Sequence, residues 1–267
     1  MALCGWLMLL AGGCQKPFSW AIDYSAATRP YAFSQYSLVV VDRLYPYALA
    51  PLKEKGVKVV GYVSLGEVKA GDPWFEKAKA AGLVLAENPY WKGSYTVDIR
   101  KPEWQAIVLG DILPELVSKQ FDGFMFDTLD SPLAQEAALP GMKAAAISLV
   151  WRIRNAYPKQ VLIQNRGYTV LPEVAAALDY VLAESTFTDY DTAKEVYRHR
   201  DTEGTGYILK YIKQAQMISP RLQVLGLEYW NPEDHAGKQQ IIDAMRLQGF
   251  FPYISTPKLD RIHPQPL

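Results

Sequence analysis

The sequence predicts a single-domain α/β protein folded as a (β/α)8 barrel, on three observations. There are eight short apolar runs rich in β-branched residues, helix-like stretches lie between them, and the length of 267 residues suits one barrel. The runs are Ser19–Tyr24, Ser37–Asp42, Lys58–Leu65, Gly123–Thr128, Gln160–Asn165, Asp179–Glu184, Leu222–Glu228 and Phe251–Ser255. Near-continuous apolar runs of this length belong to strands of a parallel sheet covered by helices. Eight repeats within about 250 residues favour a closed barrel over an open doubly wound sheet.

Between the runs, Tyr47–Lys55 reads as a helix stopped by Gly56. The longest excursion, residues 66–120, contains a helix-like segment at Trp74–Ala81 and an irregular aromatic stretch at Pro89–Tyr95, and reads as an elaborated barrel loop. Pro102 with Glu103 opens a helix carrying Ile107, Leu109, Ile112, Leu113 and Leu116. Ala144–Tyr157, Pro172–Ala177 and Pro232–Gln248 continue the helical series, the last with Gly249 placed as a C-terminal cap.

Composition narrows the function. With 28 basic and 28 acidic residues and 49% hydrophobic content, neither a disordered chain nor a nucleic-acid binder is supported. Tyr and Trp, at 17 and 7, outnumber the 9 Phe, favouring rings with a polar handle of the kind that line wet, sugar-binding clefts. Leu3–Leu10 is an uncharged apolar run followed by Ala11, Gly12, Gly13 and Cys14. That pattern predicts a lipoprotein-type signal over residues 1–14, acylation at Cys14, and an exported protein of the periplasm or outer membrane held only by that anchor, with residues 15–267 as the barrel. Two departures stand beside it: no Lys or Arg precedes the run, and Ala11 occupies a position more often Leu, so an unprocessed amphiphilic tail is the alternative. Cys4 and Cys14 are the only cysteines, so no disulfide is expected in the folded body.

Catalytic groups of such barrels sit at the carboxyl ends of the strands, and here those ends collect carboxylates: Asp23, Asp42, Glu67, Asp127, Asp130, Glu184 and Glu228. Asn165 and Arg166 close the fifth run, and Tyr24, Tyr62, Tyr229, Trp230 and Tyr253 lie on or beside the same ends. Asp23, Asp42 and Asp130 read equally well as helix caps, Asp98 and Glu103 as solvated, and Asp122 as a turn residue on the opposite face. Glu184, directly after Val181-Leu182-Ala183, and Asp127, after Phe124-Met125-Phe126, are acids embedded in apolar sequence, where a perturbed pKa is expected. The three histidines are scattered and no Lys ends a run, which disfavours metal, His-triad and Schiff-base chemistry, and no phosphate-binding glycine motif is present. No metal or cofactor is expected. Two carboxylates in an aromatic cleft are what glycosidic hydrolysis requires.

Four segments carry a family resemblance: Gly61-Tyr62-Val63-Ser64-Leu65-Gly66-Glu67, Phe121-Asp122-Gly123-Phe124-Met125-Phe126-Asp127-Thr128-Leu129-Asp130, Gln164-Asn165-Arg166-Gly167 and Ala183-Glu184-Ser185-Thr186-Phe187. In this order and spacing, with Glu87-Asn88-Pro89, Trp91-Lys92-Gly93 and Leu227-Glu228-Tyr229-Trp230, the chain resembles glycoside hydrolase family 114, the endo-α-1,4-polygalactosaminidases. The resemblance implies a metal-independent barrel enzyme cleaving α-1,4-linked galactosamine polymers, with Asp127 and Glu184 as its catalytic acids; it leaves their division of roles open, and we take Asp127 as nucleophile and Glu184 as acid/base. It also makes exopolysaccharide a substrate and exopolysaccharide biosynthesis machinery a candidate partner.

A separate expectation concerns charge. Asp42, Glu67, Asp127, Asp130, Glu184 and Glu228, opposed by Arg166 and Arg43, give the cleft a negative potential that draws in a cationic, deacetylated sugar. Asp42, Glu67 or Glu228 would then meet the free amine, and Tyr62, Asp130, Asn165, Arg166, Tyr229 and Trp230 complete the expected substrate contacts. Two other readings remain at this stage, a surface sugar-binding lipoprotein without turnover and a hydrolase of another α-linked polymer. The carboxyl separation, about 5–5.5 Å for a retaining pair and 6.5–9.5 Å for an inverting one, decides the anomeric outcome.

Overall fold

The computed structural model describes residues 17–265, so the expected signal segment and Cys14 lie outside the described residues. The chain opens with β1 (Trp20–Asp23), α1 (Pro30–Phe33), β2 (Leu38–Val41), α2 (Ala50–Lys53) and β3 (Lys58–Ser64). The excursion follows as β4 (Glu67–Lys69), α3 (Phe75–Ala80), β5 (Val84–Glu87) and β6 (Ser94–Val97). Next come α4 (Pro102–Ile107), α5 (Leu113–Ser118), β7 (Gly123–Asp127), α6 (Asp130–Leu133), α7 (Met142–Ala156) and β8 (Val161–Asn165). The remainder is α8 (Leu171–Val174), β9 (Tyr180–Glu184), β10 (Thr188–Asp191), β11 (Val196–His199), α9 (Thr202–Ile218), β12 (Gln223–Tyr229), α10 (His235–Leu247) and β13 (Phe251–Ser255).

All eight predicted runs form one parallel sheet in the order β1-β2-β3-β7-β8-β9-β12-β13, curled into a barrel with the helices outside. β-branched Val39, Val40, Val41, Val59 and Val60 are buried because inner and outer faces of these strands are both covered. The predicted helix from Pro102 is real but widens to a π-helical turn at Val108–Ile112 immediately before Pro114. Proline has no N–H and its ring crowds the carbonyl four residues back, so the ladder yields there.

Other expectations change. The helix expected at Tyr47–Lys55 shortens to α2, and that expected from Pro232 starts at His235, where the Asp234 side chain accepts from Gly237 N at 2.9 Å. The excursion holds α3 and an ordered three-stranded antiparallel sheet, β4-β6-β5, with a register shift between β5 and β6 at Val84/Glu87. The β10–β11 hairpin and the 17-residue α9 were not anticipated at all. Asp98 is buried and paired with Arg100 at 2.8 Å, because Val97 and Ile99 on either side of it belong to the core. Arg43 turns away from the mouth to pair with Asp72 and Glu115 and to cover the Trp74 ring.

Among the described residues no strand ladder joins β13 back to β1. Side chains and the C-terminal segment close that seam. The Trp20 indole donates to Phe251 O at 2.9 Å, Tyr24 N donates to Leu259 O at 2.7 Å, and the Gln265 amide both accepts from Ile254 N at 2.8 Å and donates to Ile254 O at 2.9 Å. One side-chain amide thus satisfies a peptide unit as a neighbouring strand would. Gln265→Ala is expected to cost about 2 kcal/mol, because it strips both partners from a buried peptide, and to lower Tm by several degrees in a thermal melt.

Candidate active site

β7, β8, β9 and β12 are neighbours in the sheet, and each ends in a polar residue: Asp127, Asn165, Glu184 and Tyr229. The ladder pairs Asn165 with Leu182 and Glu184 with Leu227, and side chains alternate across a strand, so these four ends turn inward at one mouth of the barrel. Tyr62 reaches the same point from β3, whose Ser64 is opposite Asp127.

The centre of the arrangement is Asn165. Its Nδ2 donates to Asp127 Oδ1 and to Glu184 Oε2, both at 2.9 Å. The two hydrogens of an amide NH2 diverge by about 120°, which sets the accepting oxygens about 5 Å apart. Tyr229 holds the other side of Glu184, its hydroxyl donating to Oε1 at 2.5 Å, and the Tyr62 hydroxyl donates to Asp127. Burial and the Glu184 charge push the Asp127 carboxyl up, against the pull of its donors. Burial first and these carboxylates second push the Tyr62, Tyr229 and Tyr24 phenols well above their ordinary value, so all three remain hydrogen-bond donors at neutral pH. The charges of Asp127, Glu184 and Asp42 add to the rise at Tyr24.

The backbone is strained at the same level. Thr128, Arg166 and Ser185, each directly after Asp127, Asn165 and Glu184, have left-handed φ of 66°, 51° and 54°. That costs about 1–3 kcal/mol apiece in a non-glycine residue and fixes the direction in which the preceding side chain leaves the strand. Leu65 N to Asp127 O, Arg166 N to Leu182 O and Ser185 N to Leu227 O, at 2.9, 3.1 and 2.8 Å, carry the ladder through these turns. Gly66 is required beside the first, since a Cβ there would stand 2.1 Å from Thr128 O.

The remaining expected contacts divide. Asp42 is half-buried, with Oδ1 accepting from Leu44 N at 2.7 Å. Asp130 and Arg166 are exposed at the rim and pair at 3.0 Å. Trp230 follows Tyr229 at the mouth, its indole N–H bound to Asp234 at 2.9 Å and its ring against His199 and Tyr197. Glu67 and Glu228 are corrected: both carboxylates serve the fold rather than a sugar. Glu67 is buried and accepts from Asn88 at 2.7 Å, Ser94 at 2.5 Å and Ser131, tying the β4-β6-β5 sheet to α6. Glu228 is fully buried and accepts from the backbone N–H of Thr186, Phe187 and Thr188 and from the Thr188 hydroxyl, which leaves no lone pair for a ligand.

Burial pushes Glu228 up to about 7 against those four donors. A carboxyl protonated more readily in the folded state stabilises the fold fully below its unfolded value near 4.5, and that contribution is lost as pH rises through about 7. Tm is therefore expected to decline between pH 5 and pH 8 in the wild type, with a flatter dependence in Glu228→Gln. An equal slope in the two proteins would remove Glu228 as its source.

Sequence reasoning passed over Tyr168, which is buried beside Arg166 and Glu184 with a hydroxyl that has no partner among the described residues. Its position three residues after a strand-end Asn was the available signal. Among the described residues no three His, Cys, Asp or Glu side chains gather in a metal-holding group.

Comparison with known proteins places the chain in a family and agrees with its fold. The model of glycoside-hydrolase family GH114 matches residues 11–266. The glycoside hydrolase domain of PelA from Pseudomonas aeruginosa superposes with a TM-score of 0.81 at 27% identity, covering 91% of this chain and 96% of that one. Ega3 of Aspergillus fumigatus, solved with galactosamine, shares the fold at a TM-score of 0.67 and 18% identity over 91% of this chain and 92% of that one. An uncharacterized protein of Deinococcus radiodurans is 26% identical over 86% of this chain and 76% of its own length.

Proposed function

The chain belongs to glycoside-hydrolase family GH114, and on that premise we propose that it cleaves α-1,4-linked galactosamine polymers, with retention, through Asp127 and Glu184. The observation that carries the mechanism is the shared donor Asn165, which sets the facing oxygens of the two acids about 5 Å apart, and this supports the closer spacing of a retaining pair. Asp127 attacks C1 while Glu184 gives its proton to the leaving glycosidic oxygen. Glu184 then takes a proton from water, whose oxygen attacks C1 and releases Asp127.

What supports the substrate is the resemblance in the strand-end motifs together with the charge of the mouth. Asp42, Asp127 and Glu184 share it, and Asp130 is already neutralised by Arg166. With Glu67 and Glu228 sealed, recognition of a free amine falls to Asp42. Export and anchoring through Cys14 belong to the same proposal and rest on the Leu3–Leu10 run that precedes it; among the described residues no helix is long and apolar enough to cross a membrane.

The test is reducing-end release from a deacetylated α-1,4-galactosamine polymer by the purified protein. Cleavage that slows with added salt, and that is faster than on the fully N-acetylated polymer, is expected from attraction between a cationic chain and an acidic mouth. Equal rates on both polymers at low salt would remove the charge argument, and the absence of cleavage would remove the substrate.

A further inference from the structure

The turn between β5 and β6 is not used by the catalytic reading. It presents Tyr90 and Trp91 at 88% and 69% exposure, although Phe75 and Tyr95 of the same layer pack on one another with centroids 5.6 Å apart. Adjacent large rings held out in water contribute nothing to the core and mark a contact surface.

The turn that carries them is rigid. Asn88 N donates to Ser94 O at 2.8 Å, Tyr90 N to Asn88 Oδ1 at 2.9 Å, Gly93 N to Glu87 Oε1 at 2.6 Å and Ser94 N to Trp91 O at 3.0 Å. Gly93, at φ 82°, takes the left-handed position that closes the turn. On so fixed a backbone, binding through these rings orders side chains alone and no loop.

The turn is also fastened to the barrel mouth. Asn88 Nδ2 donates to the same Glu67 oxygen that accepts from Ser131, the residue after Asp130. The excursion leaves from β3, the third strand of the sheet, whereas Trp230 follows the seventh. In an eight-stranded barrel those are opposite sides, with Asp127 and Glu184, on the fourth and sixth strands, between them.

We propose that Tyr90 and Trp91 form an accessory platform for a pyranose unit of the polymer, away from the bond being cut; this rests on the reading of the chain as a polysaccharide hydrolase. A flat apolar ring covers the C–H face of a sugar, while the phenol O–H and indole N–H at the ring edges donate to its hydroxyls. With Lys92 exposed beside them, the platform takes the sugar by its ring face rather than by an amine.

The experiment compares wild type, Tyr90→Ala, Trp91→Ala, the double variant and Trp91→Phe in the full chain. The readouts are kcat and KM on the polymer and on a short oligosaccharide, and retardation in native gels cast with polymer, which needs no turnover. Single alanine variants are expected to raise polymer KM roughly three- to tenfold with kcat and oligosaccharide cleavage unchanged. The double variant should run unretarded, and Trp91→Phe should recover most of the loss. Unchanged retardation and KM in the double variant would overturn the platform. So would wild-type binding to anionic phospholipid vesicles that the double variant loses while polymer retention persists, because the rings would then serve a lipid surface. Polymer retention lost in the double variant, with no cleavage by the wild type, would refute the hydrolase reading alone and uphold the platform.

Discussion

Asp127→Asn and Glu184→Gln are each expected to lower kcat on the galactosamine polymer by at least about 10³-fold, since each keeps the shape of the site and removes one of the two groups proposed to cleave the bond. The melting temperature should change little, because both acids sit half-buried at the mouth and outside the core. Their roles separate with azide and an activated aryl galactosaminide, whose leaving group needs no proton. In Glu184→Ala the glycosyl-enzyme still forms, azide replaces the water that can no longer be activated, and the product is the α-azide. In Asp127→Ala azide enters directly from the opposite face and the product is the β-azide. The reverse pairing of products would exchange the roles, and full activity in either isosteric variant would exclude that residue from the reaction.

Asn165→Ala is the second large expectation, a fall in kcat of roughly 10²-fold with a smaller change in KM. Asn165 is a positioning residue here, since its one nitrogen fixes both acids at 2.9 Å and without it they are free to separate. A pH profile distinguishes this from general damage. The Asn165 donor holds the Asp127 carboxyl down against burial and the Glu184 charge, so its removal lets that carboxyl rise further. A nucleophile must be ionised, and the acid limb of the kcat/KM profile should therefore move to higher pH. A variant that loses activity with the acid limb in place would deny Asn165 this function.

The barrel strands were legible because a strand covered on two sides has no polar face to disguise it, and the runs from Ser19–Tyr24 to Phe251–Ser255 all fall on strands of the sheet. The positions of Asp127 and Glu184 were legible because a strand end in such a barrel can be read directly. The use of each carboxylate was not. Glu67 and Glu228 look like Glu184 in sequence, but their donors come from Ser131, 64 residues on, and from Thr188, 40 residues back, and only the fold brings those together. The double contact of Asn165 likewise depends on the register among β7, β8 and β9. The β10–β11 hairpin escaped notice because its strands, Thr-Asp-Tyr-Asp and Val-Tyr-Arg-His, lie outside the barrel and carry no apolar run. α9 was hidden by Gly204 and Gly206 in its first turns, although Ile208, Ile212 and Ala215 mark its buried stripe.

The seam between β1 and β13 gives the chain an order of events. Trp20 is made early, yet its indole waits for Phe251, 231 residues later, and Ile254 waits for Gln265 beyond that. A ribosome has therefore released nearly the whole of the described chain before the cylinder can shut, and until then both edges of the sheet are bare. Contacts spanning so much sequence form slowly. The cylinder therefore cannot latch before residues 259–265 are present to hold its two edge strands.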